Sequence, residues 1–62
     1  MTYLPEDLIN FPVGTIFKGD ITDNFYTFMG MEGSHPVFWN NTLHKRHVVG
    51  YSIELTKIEE AL

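Results

Sequence analysis

Three histidines come first, because an imidazole near its ordinary pKa can serve as a general base or as a metal ligand at neutral pH. His35, His44 and His47 would supply three nitrogen ligands to zinc with a fourth position open, provided the fold gathered them. Their surroundings argue against it. His44 and His47 flank Lys45 and Arg46, whose charges repel a cation, and nothing in the pattern brings His35 to them. They read as solvated loop histidines. A serine nucleophile needs a histidine base and an orienting acid around a small pocket; Ser34 beside His35 is instead a turn pair. The eight acids are scattered at turns and ends, as solvating charges are, and form no carboxylate pair. Gly14, Gly19, Gly30, Gly33 and Gly50 have neither the dinucleotide nor the lysine-bearing phosphate-loop spacing, so they read as bends. Asn40-Asn41-Thr42 matches the glycosylation pattern, which matters only in a secreted chain. The sequence predicts no catalytic machinery, no cofactor and no metal centre.

One constellation remains. Tyr26, Phe28, Phe38 and Trp39 would stack bases if they shared an exposed face, and His44-Lys45-Arg46-His47 would touch phosphate beside them. The charge balance weakens this. With four Lys and Arg against eight acids and a net charge of -4, few counterions would be released on binding, and that release drives most such association. The aromatics are therefore expected to be mainly core, and single-stranded nucleic-acid binding stays as the alternative reading.

The elements that must position these residues follow from pattern and turn chemistry. Leu4-Pro5-Glu6-Asp7-Leu8-Ile9 has a proline and two acids suited to a first helical turn, then Leu8 and Ile9 to bury; Pro12 ends it. Val13 to Ile21 is a strand candidate in which Val13, Phe17 and Ile21 share the inward parity. Thr22-Asp23-Asn24 is a tight turn, and Phe25 to Met31 is the return strand of a hairpin. Glu32-Gly33-Ser34 turns again into His35 to Trp39, with Pro36 near a strand start or an edge. Asn40 to Arg46 is expected as a loop or single helical turn pegged by Leu43. Val48 to Ile58 alternates cleanly, with Val49, Tyr51, Ile53 and Leu55 on one parity; Gly50 interrupts it as a bulge or a sharp bend, which makes it one long ribbon serving two sides of a closed sheet or two short strands. The tail from Lys57 is short and docks through Ile58 and Leu62 or frays.

At 62 residues this is one domain, small enough that only about 60% of the unfolded chain's surface is buried on folding. It has no cysteine, so its core must stabilise it without disulfides. A hydrophobic fraction of 44% with so small a net charge predicts a folded chain, not a disordered one. No run approaches the roughly 20 apolar residues of a membrane span, and the basic-then-apolar layout of a secretory signal is missing from the start, so a soluble, cytoplasmic protein is expected. Four to five short strands with tight turns predict a mostly β fold, a strongly bent antiparallel sheet or SH3-like barrel with a short N-terminal helical turn. Over most of the chain the layout resembles small barrels of the Src-homology type: a hairpin, a third strand, and a polar turn before the last ribbon. In size and acidity it is similar to the compact accessory proteins that bacteriophages encode.

The functional expectation is a non-catalytic protein-binding module, a regulator or inhibitor acting on a host or cellular enzyme. Both parities of Phe25 to Met31 are hydrophobic, so one face needs a second cover: the N-terminal turn, a second copy of the chain as a homodimer, or a foreign partner. An acidic body favours a basic partner surface, such as that of a nucleic-acid-binding enzyme. Interface centres favour Trp, Tyr, Phe, Met and Arg. The expected contacts are Trp39 first, then Tyr26, Phe38 and Met31, with Lys45 and Arg46 as a basic loop; Trp39 and Phe38 straddle a strand, so at least one of them is core.

Overall fold

A computed structural model describes residues 1–61; Leu62, one of the two residues by which the tail was to dock, lies outside them. Between them run β1 (Thr2–Tyr3), a 3-10 helix (Pro5–Asn10), β2 (Ile16–Gly19), β3 (Phe25–Glu32), β4 (His35–Asn40), β5 (Lys45–Val48) and β6 (Ile53–Glu59). The chain is mostly β. Its six strands form one antiparallel sheet in the order β1-β6-β2-β3-β4-β5, one strand more than the upper expectation. Among the described residues the outer strands β1 and β5 do not pair with each other.

The turns do what their residues suit. Asp23 takes the left-handed conformation (φ 56°) that short polar side chains tolerate, and the Gly19 N–H donates to the Asn24 carbonyl at 2.8 Å, closing the β2–β3 hairpin. Gly33 (φ 64°) does the same between β3 and β4, where a side chain would be strained. Between Phe28 and Gly30 the β3–β4 register shifts, leaving Met29 as the extra residue of a bulge.

Three expectations are corrected and one is resolved. Asn40 to Arg46 is not all loop: the buried Asn40 Oδ1 accepts the N–H groups of Thr42 (3.0 Å) and Leu43 (2.8 Å), tightening the turn enough that Lys45 already begins β5, while Leu43 stays exposed and pegs nothing. Of the two places expected for Pro36, the strand start is observed, since it is the second residue of β4, and the sheet edge is not, because β4 lies between β3 and β5. Val13 and Ile21 are exposed, since the strand that carries Phe17 inward ends before reaching either. The tail residues Lys57 to Glu59 are strand, held by β2 through the pairs Phe17↔Lys57 and Ile16↔Glu59, and Ile58 remains exposed.

The core is Leu8, Phe17, Phe28, Phe38, Val49 and Leu55. Its rings meet edge to face, Phe17 with Phe11 at 5.2 Å and with Phe38 at 5.9 Å, an arrangement the ring quadrupole favours. The 3-10 helix starts at Pro5, with the Asp7 carboxylate accepting the Leu4 N–H at 2.9 Å, and contributes one buried residue, Leu8.

At the β1 end, the Met1 ammonium donates to Asp20 Oδ2 at 2.6 Å and the Thr56 hydroxyl donates to Oδ1. These two hydrogen bonds, in that order, hold the Asp20 carboxyl below its ordinary 3.8; partial burial opposes them and the charge of Lys18 adds a little. A carboxyl depressed on folding contributes stability that is fully present above its unfolded value and is lost as pH falls through the folded one. The thermal midpoint of the wild type should therefore exceed that of Asp20→Asn at neutral pH, and the difference should close only below 3.8. Melting both proteins from about pH 7 to about pH 2 checks this; a difference independent of pH would remove the ionised carboxylate from the account.

Candidate binding surfaces

Alternation divides the sheet's side chains into two sets, and both contain groups capable of recognition. On the outer face one row crosses four strands in register: Ile16, Thr27, Trp39 and Arg46, paired successively across β2, β3, β4 and β5. Trp39 is 38% exposed near the middle of this row. Phe25 and Val48 lie diagonal to it on the neighbouring strands, within reach of an aromatic side chain, and both are exposed, as is Met29 at the bulge. Charge rims the patch: Arg46 pairs with Glu32, and Lys18, opposite Phe25, lies 3.3 Å from Asp23. Such exposed pairs contribute little to stability and exchange readily for a partner's charges.

The inner set builds a pocket of about 150 Å³ on the open side of the sheet, where β5 and β6 face each other without pairing. Tyr26, Phe38 and His47 line it together with Val49, Ile53 and Leu55, and Tyr51, which is 69% exposed, borders it. The Tyr26 ring meets both Phe38 and His47 edge to face at 6.1 Å. The Nε2 atom of His47 is buried without a hydrogen-bond partner.

The expected contact residues thus separate. Trp39 and Arg46 are brought together as cross-strand neighbours, on a strand pair and not in a loop. Lys45 is exposed on the same edge strand, opposite Asn40. Phe38 is the core member of the straddling pair, at 2% exposure, and Met31 and Tyr26 pack partly buried against the core. No protein-family model, curated protein or solved structure matches the chain. The site is therefore defined by its geometry alone.

The histidines take three unrelated positions. His35 packs over Gly50, where an added Cβ would stand 3.4 Å from its ring; His44 turns the chain at φ 56°; His47 faces inward. Among the described residues no three His, Cys, Asp or Glu side chains lie close enough together to hold a metal ion, and no helix is long and apolar enough to cross a membrane. Sequence reasoning missed Phe25, Met29 and Val48 as surface residues and the pocket altogether. Parity along the sequence groups Phe25 with Met29, but only the β3–β4 and β4–β5 registers bring them and Val48 beside Trp39, and the pocket is made by segments that meet only in three dimensions.

Proposed function

We propose that the chain is a small non-catalytic protein-binding module whose partner docks on the outer face of β2–β5, centred on Trp39. The observation that carries this reading is the part-exposed Trp39 directly opposite Arg46, inside an apolar patch that is exposed among the described residues. Trp and Arg dominate interface energetics when a partner removes them from water, and the polar rim of Lys18 and Arg46 gives such an interface its orientation, while Lys45, opposite Asn40, has the other parity. The acidic remainder of the body, at a net charge of -4, suits a partner with a basic surface beside its apolar anchor site. A protein enzyme that handles nucleic acid has that combination, and the chain would act as its regulator or inhibitor, in the manner of a phage accessory protein in the cytoplasm. In this reading the bent sheet is an SH3-like barrel whose seam runs between β5 and the β1–β6 pair.

The test is capture by the tagged domain from a nuclease-treated lysate, with the wild type, Trp39→Ala and Arg46→Glu compared after each has been shown to be folded. The wild type should retain a protein in stoichiometric amount, and both variants should lose it, with Trp39→Ala weakening binding roughly 30-fold or more. Arg46→Glu, on an exposed strand residue, keeps the fold and so isolates the interface from stability. Retention of nucleic acid alone, and only without nuclease, would put the single-strand alternative in its place. Self-association abolished by either variant would make the partner a second copy of the chain.

A further inference from the structure

We infer that the open edge of β5 is a site where an acidic, extended peptide segment adds as a further antiparallel strand. This goes beyond the docking reading and does not rest on it, because the outer face would hold side chains and the edge a backbone. Hydrogen-bond phase comes first. The Val49 N–H donates to the Pro36 carbonyl at 3.0 Å, and the pairs Phe38↔His47 and Asn40↔Lys45 fall at the same alternate positions of the β4–β5 register. In an antiparallel pair, residues that exchange hydrogen bonds alternate with residues that do not, so Lys45, His47 and Val49 turn their backbone groups to β4. The N–H and carbonyl of Arg46 and of Val48 then point away from it, to the side on which, among the described residues, β5 has no neighbouring strand. Both residues are exposed. Two donors and two acceptors in this phase are what an added strand takes up.

Charge selects the occupant. Two of the four Lys and Arg of this acidic chain, Lys45 and Arg46, are adjacent on this one edge strand. Among the described residues Lys45 enters no ion pair, and the Arg46–Glu32 pair is exposed on both sides and so exchangeable. Screening over about 8 Å at physiological salt makes the charges of β5 weigh most on a strand added beside it. Edge charges of one sign discriminate: a like-charged strand, β5 of a second copy included, is repelled, and an acidic one is attracted. The register then fixes a pattern. In an antiparallel added strand an apolar residue lies opposite Val48, an acid two residues later lies opposite Arg46, and the next acid lies opposite Lys45, which gives apolar-any-acid-acid.

Titration of the ¹⁵N-labelled protein with the end-capped peptide Thr-Val-Thr-Glu-Glu-Thr tests this. Binding should be saturable with a Kd on the order of 1 mM, because so short an edge must offset the ordering of the peptide. The Arg46 and Val48 amides should shift more than those of Lys45 and His47, which already donate to β4, and near saturation their hydrogen exchange should slow about tenfold. Two N-methylated peptides of equal charge separate strand addition from simple attraction, and they need no substitution in the protein. Methylation of the valine and the first glutamate, whose N–H groups face Val48 and Arg46, should weaken binding about tenfold or more, whereas methylation of the middle threonine and the second glutamate should not. Thr-Val-Thr-Lys-Lys-Thr should not bind, and added salt should weaken the acidic peptide. Val48→Pro removes an outward N–H and none that β4 uses, so it should stay folded and lose the site. Equal binding of the two methylated peptides would overturn the proposal, as would equal binding of the lysine peptide. Protection of the Arg46 and Val48 amides by self-association, without any peptide, would give the edge to a second copy of the chain and overturn it too.

Discussion

Phe17→Ala is expected to remove about 3–5 kcal/mol, on the order of half of the stability of a chain of this length. Phe17 has no exposed surface and joins the two halves of the aromatic core, meeting Tyr3 and Phe11 from the N-terminal segment and Phe38 from β4, all edge to face. Its removal deletes the transfer free energy of a whole ring and opens a cavity that neighbours on three separate segments cannot jointly close. The margin is small. At roughly 0.05–0.15 kcal/mol per residue, a chain of this length has a total stability of about 3–9 kcal/mol. No disulfide limits the unfolded state. Urea unfolding followed by circular dichroism measures the effect, with Ile21→Ala as a control that should change stability by less than about 0.5 kcal/mol because Ile21 is exposed. A loss at Phe17 no greater than at Ile21 would mean that the core lies elsewhere.

Local chemistry made most of this fold legible, and non-local geometry hid the rest. The β2–β3 and β3–β4 hairpins were readable because Asp23 and Gly33 are residue types that take positive φ at low cost, and aromatic β-formers flank both turns. The break at Gly50 was readable because glycine weakens a strand's interior. β5 was not, because Lys45-Arg46-His47 carries no apolar alternation. As the outermost strand it pairs on one side only, and charged residues there are the usual means of discouraging a second chain from adding to it. Val13 and Ile21 misled because parity was extended beyond the four residues that pair; hydrophobic alternation locates an inward face and does not locate a strand's ends.

The same distinction applies to the candidate sites. Trp39 and Arg46 were each readable as interface-type residues, yet only the β4–β5 register makes them neighbours. Phe38 and Trp39 then follow from one rule: adjacent residues on a strand face opposite ways, so the register that commits Phe38 to the core commits Trp39 to the surface. His47 inherits its inward position from its pairing with Phe38, and the pocket it lines lies where, among the described residues, no strand pairs beyond β5. The open seam therefore locates the pocket, while the paired centre of the sheet accounts for the outer face.

Leu8→Ala is the second substitution expected to have a large effect, about 2–5 kcal/mol. A 3-10 segment of six residues has too few hydrogen bonds to persist alone, so it is held by what it buries. Leu8 is its one buried residue, with no exposed surface, and it belongs to the same cluster as Phe17 and Phe38. Alanine at this position keeps the local backbone preferences and removes the anchor, so the loss reports docking of the segment, not its helicity. Ile9 gives the contrast. The sequence marks Leu8 and Ile9 equally as residues to bury, yet Ile9 is 67% exposed, and Ile9→Ala should cost less than about 1 kcal/mol. Denaturant unfolding of the two variants side by side measures the difference. Amide hydrogen exchange at Phe28 and Phe38 adds a second reading, since protection of these core-strand groups should fall in Leu8→Ala by the factor the stability loss dictates and remain near the wild-type level in Ile9→Ala. Equal losses at the two positions would mean that the segment is held through its backbone contacts and not through the Leu8 side chain.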